Sequence, residues 1–385
     1  MNYDCSVDTH SLYIHWPFCP YKCNFCPFVA LAGHDKFMQQ YHGALTNEIE
    51  KFVYENIEKR HLKTIFMGGG TPSTYPNPLL LDMFDTLYKG FIIDNSTEIS
   101  IEVNPGTVKQ EQLEVWKSIG INRLSIGVQG LKDSVLKSLN RHQSAEDVAW
   151  LLAQASRFFD NISVDLILGL PDVSASEWKK LIESVVTWPI SHVSIYFLTV
   201  HENTPLYFKV QKNQVTLPPD DTIIDLYHWT VDLLAQHGLW QYELSNFARP
   251  GYECKHNTVY WERTPYKGVG LGACSFDGTL RLQNEKNLMK YMAAIESGDS
   301  PIVTVEQLTQ EQVHLERLML GLRRSKGISR YALMAGVDQE RIQNYDDKIT
   351  LLIKNNFLRE ENGQLILTTK GLILENEIIV QLAQD

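Results

Sequence analysis

Three of the six cysteines in this chain, Cys19, Cys23 and Cys26, fall in the short stretch CPYKCNFC. Their spacing is C-x3-C-x2-C, directly after an apolar run that reads as a strand. Three thiolates on one loop can hold three corners of an iron–sulfur cluster. The fourth iron then keeps a free coordination position, where a small molecule can be bound and activated. A structural zinc site is the rival, since it takes four ligands and Cys254 with His256 could supply a second pair. Three unrelated buried cysteines are the chance reading, and the clustering argues against it. A disulfide framework does not suit a chain of this size that is not secreted. The first expectation is a 4Fe–4S cluster with one open iron.

Something must hold that loop. Short apolar runs at 12–17, 64–70, 98–106, 123–130, 162–171 and 192–200 read as strands, mostly apolar on both faces as buried parallel strands are. Helical patterns lie between them. Ser144 with Asp147 opens one like a capping box, and Val148, Leu151, Leu152, Ala155 and Phe158 follow at helical spacing. Leu113 and Trp116 mark an earlier helix stopped by Gly120, and another runs from Asp220 to His237 before Gly238. Repeated β-then-α units imply a parallel sheet with right-handed crossovers. Candidate functional residues at the C-terminal ends of several strands favour a barrel. The expected fold class is α/β, a partial (βα)6 TIM-like barrel, followed by a smaller, mainly helical, winged-helix-like part.

The expected divisions are a core barrel over 1–240, a loop-rich aromatic and glycine-rich segment over 241–304, and a helical C-terminal domain over 305–385. Within the last, Asn362-Gly363 signals a hairpin turn. A winged helix suggests nucleic acid, but the net charge is −11, so no nucleic-acid partner is expected and a structural or lid role is preferred. The hydrophobic fraction of 44% and charged fraction of 21% are those of a globular protein. There is no apolar run long enough to span a bilayer, and the N-terminal stretch MNYDCSVDTH lacks a signal-peptide pattern. The expected location is the cytoplasm.

The cysteine triad, with the aromatic Phe25 before its last member, resembles the signature of the radical S-adenosylmethionine superfamily. YIHWPFC, MGGGTPS, IEVNPG, NRLSIGVQ, LNRHQ and VDLILGLP then follow in the order shown by oxygen-independent coproporphyrinogen III oxidase and its relatives. The resemblance covers nearly all of 11–290. It implies that S-adenosylmethionine chelates the open iron and is cleaved by one electron to a 5′-deoxyadenosyl radical. It also implies cofactor contacts at Tyr13, Phe25, Gly69, Gly70, Thr71, Glu102, Gln129, Arg141 and Asp165. Read singly, these residues carry less. The glycines suit a tight turn or a close backbone approach to a ligand. Tyr13 suits a core position, and Arg141 a surface charge. Asp165, between Val164 and Leu166, would be costly to bury without a partner.

Two features choose a branch. The oxidase resemblance would place a fourth cysteine two residues after the third, where this chain has Phe28. The segment KHNTVYW resembles the HNxxYW motif of the heme chaperone group, which implies a heme site at His256, Asn257, Tyr260 and Trp261, with Cys254 as a further candidate ligand. Heme or another tetrapyrrole, a heme-acceptor protein that could be membrane-associated, and a cytosolic electron donor are the implied partners. Pro27 departs from the group, which usually has Asp there; proline cannot donate an N–H to a cluster sulfur. The alternatives are a tetrapyrrole enzyme, either oxidase-like or heme-degrading, and a zinc-stabilised binding module without catalysis. No catalytic residue is assigned.

Overall fold

The computed structural model describes residues 10–54, 59–334 and 339–383. Residues 1–9 of the N-terminal stretch read above for a signal peptide lie outside the described residues. Six parallel strands form the centre of the sheet: β1 (Ser11–Trp16), β2 (Thr64–Gly69), β3 (Glu98–Val103), β4 (Arg123–Gln129), β5 (Asn161–Leu168) and β6 (His192–Phe197). They stand side by side in chain order. Their crossovers carry α1 (Met38–Tyr54), α2 (Asn77–Gly90), α3 (Gln110–Ser118), α4 (Ala145–Ala155) and α5 (Ala175–Val185), and α6 (Asp220–Gln236) follows β6. Local signals set these helices. In α4 the Ser144 hydroxyl accepts from the Asp147 amide at 3.1 Å, while the Asp147 carboxylate takes the Ser144 amide at 2.8 Å. Ser174 and Glu177 repeat the arrangement at the start of α5.

The strands are not apolar on both faces, as expected, but alternate. Leu12, Ile14 and Trp16 of β1, Ile65 and Met67 of β2, Ile99 and Ile101 of β3, and Leu124 and Ile126 of β4 all belong to one buried core. Helices cover that outer face, and each fully buried large side chain contributes roughly 1.5–3 kcal/mol. The intervening positions include Tyr13 and His15, Phe66 and Gly68, Ser100 and Glu102, Arg123 and Ser125, Asp165 and Ile167, and Ser194. They line a polar lumen. Most of these inner positions are polar or glycine, which is why the strands resist a continuous apolar pattern.

Both edges of the sheet are extended by the segment after 240. Strands β7 (Trp240–Glu243) and β8 (Asn246–Ala248) add antiparallel beside β6, and β9 (Lys267–Val269) adds parallel beside β1. The strand order is linear, with no ladder between the end strands among the described residues, so the barrel is incomplete. This stretch, read as loops and short strands, also contains a helix, α7 (Lys255–Trp261). Strands β10 (Cys274–Phe276), β11 (Leu280–Asn284) and β12 (Ile302–Gln307) form a separate small sheet.

The C-terminal part has its own core of Leu318, Leu322, Ile349, Leu365 and Ile378, among others. It comprises helices α8 (Gln310–Leu322), α9 (Gln339–Lys354) and α10 (Glu375–Ala383) around a hairpin of β13 (Leu358–Glu361) and β14 (Gln364–Leu367). Asn362 and Gly363 take φ values of 51° and 73° at its turn, the backbone a tight hairpin requires.

Candidate cluster and cofactor site

Cys19, Cys23 and Cys26 sit on the loop that leaves β1, at the C-terminal end of the sheet, and all three line one cavity of about 460 Å³. The loop is tied down from several sides. Phe18 and Cys19 pair in parallel with Leu31 and Ala32. The Asn24 amide donates to Leu139 O at 2.9 Å, its side chain to Ser138 O at 3.0 Å, and Asn140 Nδ2 donates to Lys22 O at 2.8 Å. The LNRHQ segment is thus first a clamp on the cysteine loop.

Thr71 and Arg141 reach the sulfurs. Thr71 Oγ1 donates to Cys19 Sγ at 3.2 Å and accepts from Asn104 Nδ2 at 3.0 Å. Arg141 is buried, with Nη1 3.7 Å from Cys23 Sγ, and its other donors bond Gln143, Asn104 and Gly127. It forms no ion pair with a carboxylate among the described residues. A desolvated cation kept beside three thiols suits a site that carries negative charge. Burial pushes the Cys19 thiol up to about 11. Metal coordination overcomes such a penalty by displacing the proton. At Cys26 burial also raises the thiol, and the Phe28 backbone opposes it. Pro27 removes one donor from the loop, but the next amide supports the sulfur.

The lumen supplies the rest of the wall. Gly69 N–H donates to Glu102 Oε2 at 3.2 Å. Gly69 has φ of 119°, and a Cβ there would lie 2.8 Å from the His15 ring, so only glycine fits. Burial first, then the neighbouring Asp165, pushes the Glu102 carboxyl up to about 8. Asp165 Oδ2 accepts from Ser125 Oγ at 2.9 Å, and burial raises this carboxyl as well. Its Oδ1 is buried without a hydrogen-bond partner. An orphaned acceptor in a cavity wall is a place for a ligand donor. Gln129 has φ of 65° beside a register shift in β4, a bulge that turns it into the cavity.

Phe25, Gly69, Gly70, Thr71, Glu102, Gln129, Arg141 and Asp165 therefore share this cavity with the cysteines. Asn104, Ser125 and Tyr196 also line it. Asn104 was legible inside IEVNPG, as the polar residue where the strand ends. Tyr13 lies elsewhere: its hydroxyl donates to His15 Nδ1 at 3.0 Å, while His15 Nε2 donates to Val29 O at 2.9 Å. Its ring faces a second cavity, which shares Pro27, Phe28, Gly69 and Glu102 with the first.

The heme candidates lie apart from the cysteine loop. His256 is fully buried, and both ring nitrogens are engaged, Nδ1 with Thr64 Oγ1 and Nε2 with Tyr260 Oη, each at 2.8 Å. The ring stacks on Phe66, and burial and then Arg123 hold its pKa at about 3. Cys254 is sealed too, its Sγ 3.6 Å from Glu98 Oε1. Glu98 also accepts the Lys255 and His256 amides at 3.0 and 3.1 Å, capping α7 from the start of β3. Thr64 and Glu98 open their strands, whereas the cysteine loop follows the far end of a six-residue strand, a run of ~17 Å. Helix α7 is thus a plug in the opposite end of the barrel. Cys254 and His256 line neither cavity and lie a strand's length from the triad. Trp261 packs edge-on against Tyr242 at 5.7 Å, Asn257 lines neither cavity, and only Tyr260 reaches the second one. No group of three or more His, Cys, Asp or Glu side chains among the described residues is arranged to hold a single metal ion. A 4Fe–4S cluster takes one thiolate per ligated iron, so its thiols need not converge on one point.

The model of the Radical SAM superfamily matches residues 13–185. The solved structure of coproporphyrinogen III oxidase HemN from Escherichia coli, a radical SAM enzyme, superposes with a TM-score of 0.83 at 24% identity, covering 98% of this chain and 91% of that one. The superposition shows the fold, and residues 13–185, with the three-thiol loop at the strand ends, match a radical S-adenosylmethionine domain, a class that implies a 4Fe–4S cluster and S-adenosylmethionine. The heme chaperone HemW of Bacillus subtilis (strain 168) is 31% identical over 96% of this chain and 97% of its own length. That of Escherichia coli (strain K12) is 36% identical over 68% and 69%. The chain belongs to the HemW family within the radical SAM superfamily.

Proposed function

We propose that this protein is a heme chaperone that carries a 4Fe–4S cluster and S-adenosylmethionine, takes up heme and passes it to an acceptor protein. The observation that supports the reading is the alignment with the Bacillus subtilis heme chaperone across 97% of that protein. When bound, the cluster supplies an open iron and one electron, and S-adenosylmethionine a sulfonium beside it. The chain's own groups hold and orient. Cys19, Cys23 and Cys26 are the ligands. Arg141 offsets their charge, and Thr71 fixes Cys19. The backbone at Gly69 and Gly70, with Glu102, Gln129 and Asp165, offers donors and acceptors to the amino, carboxylate and hydroxyl groups of the nucleoside ligand.

Phe28 weighs against the oxidase reading, because a phenyl ring cannot ligate iron where a fourth thiol would stand. It is 66% exposed at the junction of the two cavities. No helix among the described residues is long and apolar enough to cross a membrane. A membrane-associated acceptor would be met from the cytoplasm, where a reducing pool keeps the three thiols available. A cytosolic reductant would serve as electron donor.

Anaerobic reconstitution with iron and sulfide, followed by hemin titration, tests the proposal. Retained iron and acid-labile sulfide with a saturable Soret change are expected. Zinc without iron would sink the cluster assignment, and an inert Soret region would sink the chaperone reading.

A further inference from the structure

The second cavity, about 420 Å³, lies between β1 and the small sheet. Its walls include Tyr13, Phe28, Tyr260 and Tyr266, and its polar groups include Cys274 and Lys286. That is the make-up of a site for a flat aromatic ligand: aromatic area with a few placed polar atoms, in the range of about 300–1,000 Å³. Tyr260 and Tyr266 meet edge-on at 4.7 Å and form a corner.

Cys274 is the one exposed free thiol among the described residues. It opens β10, pairs with Gln283 of β11, and accepts from Gln283 Nε2 at 3.3 Å. A donor on sulfur supports a thiolate and tunes a metal bound to it. Lys286 is exposed and makes no ion pair among the described residues. The cavity therefore holds a soft metal ligand and a free cation, framed by rings, and adjoins the cluster cavity.

We propose that heme occupies this second cavity, with Cys274 Sγ as a ligand to its iron and the Lys286 ammonium on a propionate. The inference rests on the heme-chaperone reading, and it moves the iron ligand from His256 to Cys274. On coordination the thiol proton leaves to solvent and the sulfur lone pair forms the bond to iron, with no change in oxidation state.

Hemin titration of the reconstituted full-length protein, read by absorbance and by electron paramagnetic resonance, tests the site. Wild type should show a ferric heme signal of thiolate ligation. Cys274→Ser should lose that signal and bind hemin about 10–100-fold more weakly. Lys286→Glu, at an exposed position, should keep the signal and weaken binding by about fivefold or more. Cluster iron and melting temperature, unchanged in both variants, report intact folding. A wild-type complex without the thiolate signal, or a Cys274→Ser variant with wild-type signal and affinity, overturns the proposal while leaving the chaperone reading standing. No hemin binding by wild type overturns that reading instead.

Discussion

Glu102 and Arg141 show how much the site depends on buried groups that have no full partner. Arg141 has donors on three neighbours and on a sulfur but no carboxylate within reach among the described residues. Removing one thiol should therefore lose the cluster outright. Cys23→Ala should retain only background iron after anaerobic reconstitution while its far-ultraviolet circular dichroism stays that of wild type. Glu102 carries a pH prediction. Its folded pKa is raised to about 8, so its contribution to stability is full below 4.5 and is lost as pH rises through 8. Glu102→Gln keeps an acceptor for the Gly69 amide without the charge. At pH 9 the cluster-free variant should be more stable than wild type by on the order of 2 kcal/mol, read from urea unfolding. Equal stability at pH 9 would show the carboxylate to be solvated.

At the scale of elements, the strands were legible where they end and opaque where they face inward. Terminal Gly, Pro and Asn residues located β1 to β6 well. The alternation of Leu12, Ile14 and Trp16 with Tyr13 and His15 was hidden because aromatic and histidine side chains read as apolar. Helix α7 was missed for a related reason: it is short, and its cap comes from Glu98, far away in sequence. The cysteine triad was legible because its thiols are close in sequence, whereas the second cavity joins β1, α7 and β10, and no local pattern announces it. The plug predicts acid sensitivity. His256 and His15 are lowered to about 3 and about 4, and His192 also falls, each chiefly by burial. A lowered histidine contributes stability above 6.5 that is lost as pH falls toward the folded value. Between 4.5 and 6.5 these three oppose the carboxyls that burial raises, Glu102, Asp165 and Glu375. Each proton is worth about 1.4 kcal/mol per pH unit, so each buried histidine should make stability fall more steeply on acidification than it does in a variant lacking it. Chemical denaturation from pH 7 to 4.5 checks the sign. His256→Leu should flatten the curve and cost about 1–3 kcal/mol at pH 7 by stranding Thr64 and Tyr260.

At the scale of the whole molecule, the C-terminal part packs around a core distinct from that of the barrel. Leu365→Ala should therefore cost about 2–5 kcal/mol within that part and leave the iron content of the cysteine loop unchanged. A loss of iron would mean that the two cores unfold together. The net charge of −11 argues that the winged-helix resemblance is one of shape. The protein should pass through a DNA column at low salt, where electrostatic binding is strongest.

Gly69 and Glu102 belong to the walls of both cavities. A shared wall makes the two chambers reciprocal partners. Any ligand in one that draws the proton from Glu102 changes the charge seen in the other. Linkage then obliges the second ligand to act back on the first by the same factor. The coupling between the chambers becomes a thermodynamic property of one carboxyl group, and the acidity of the medium sets how strongly each senses the other.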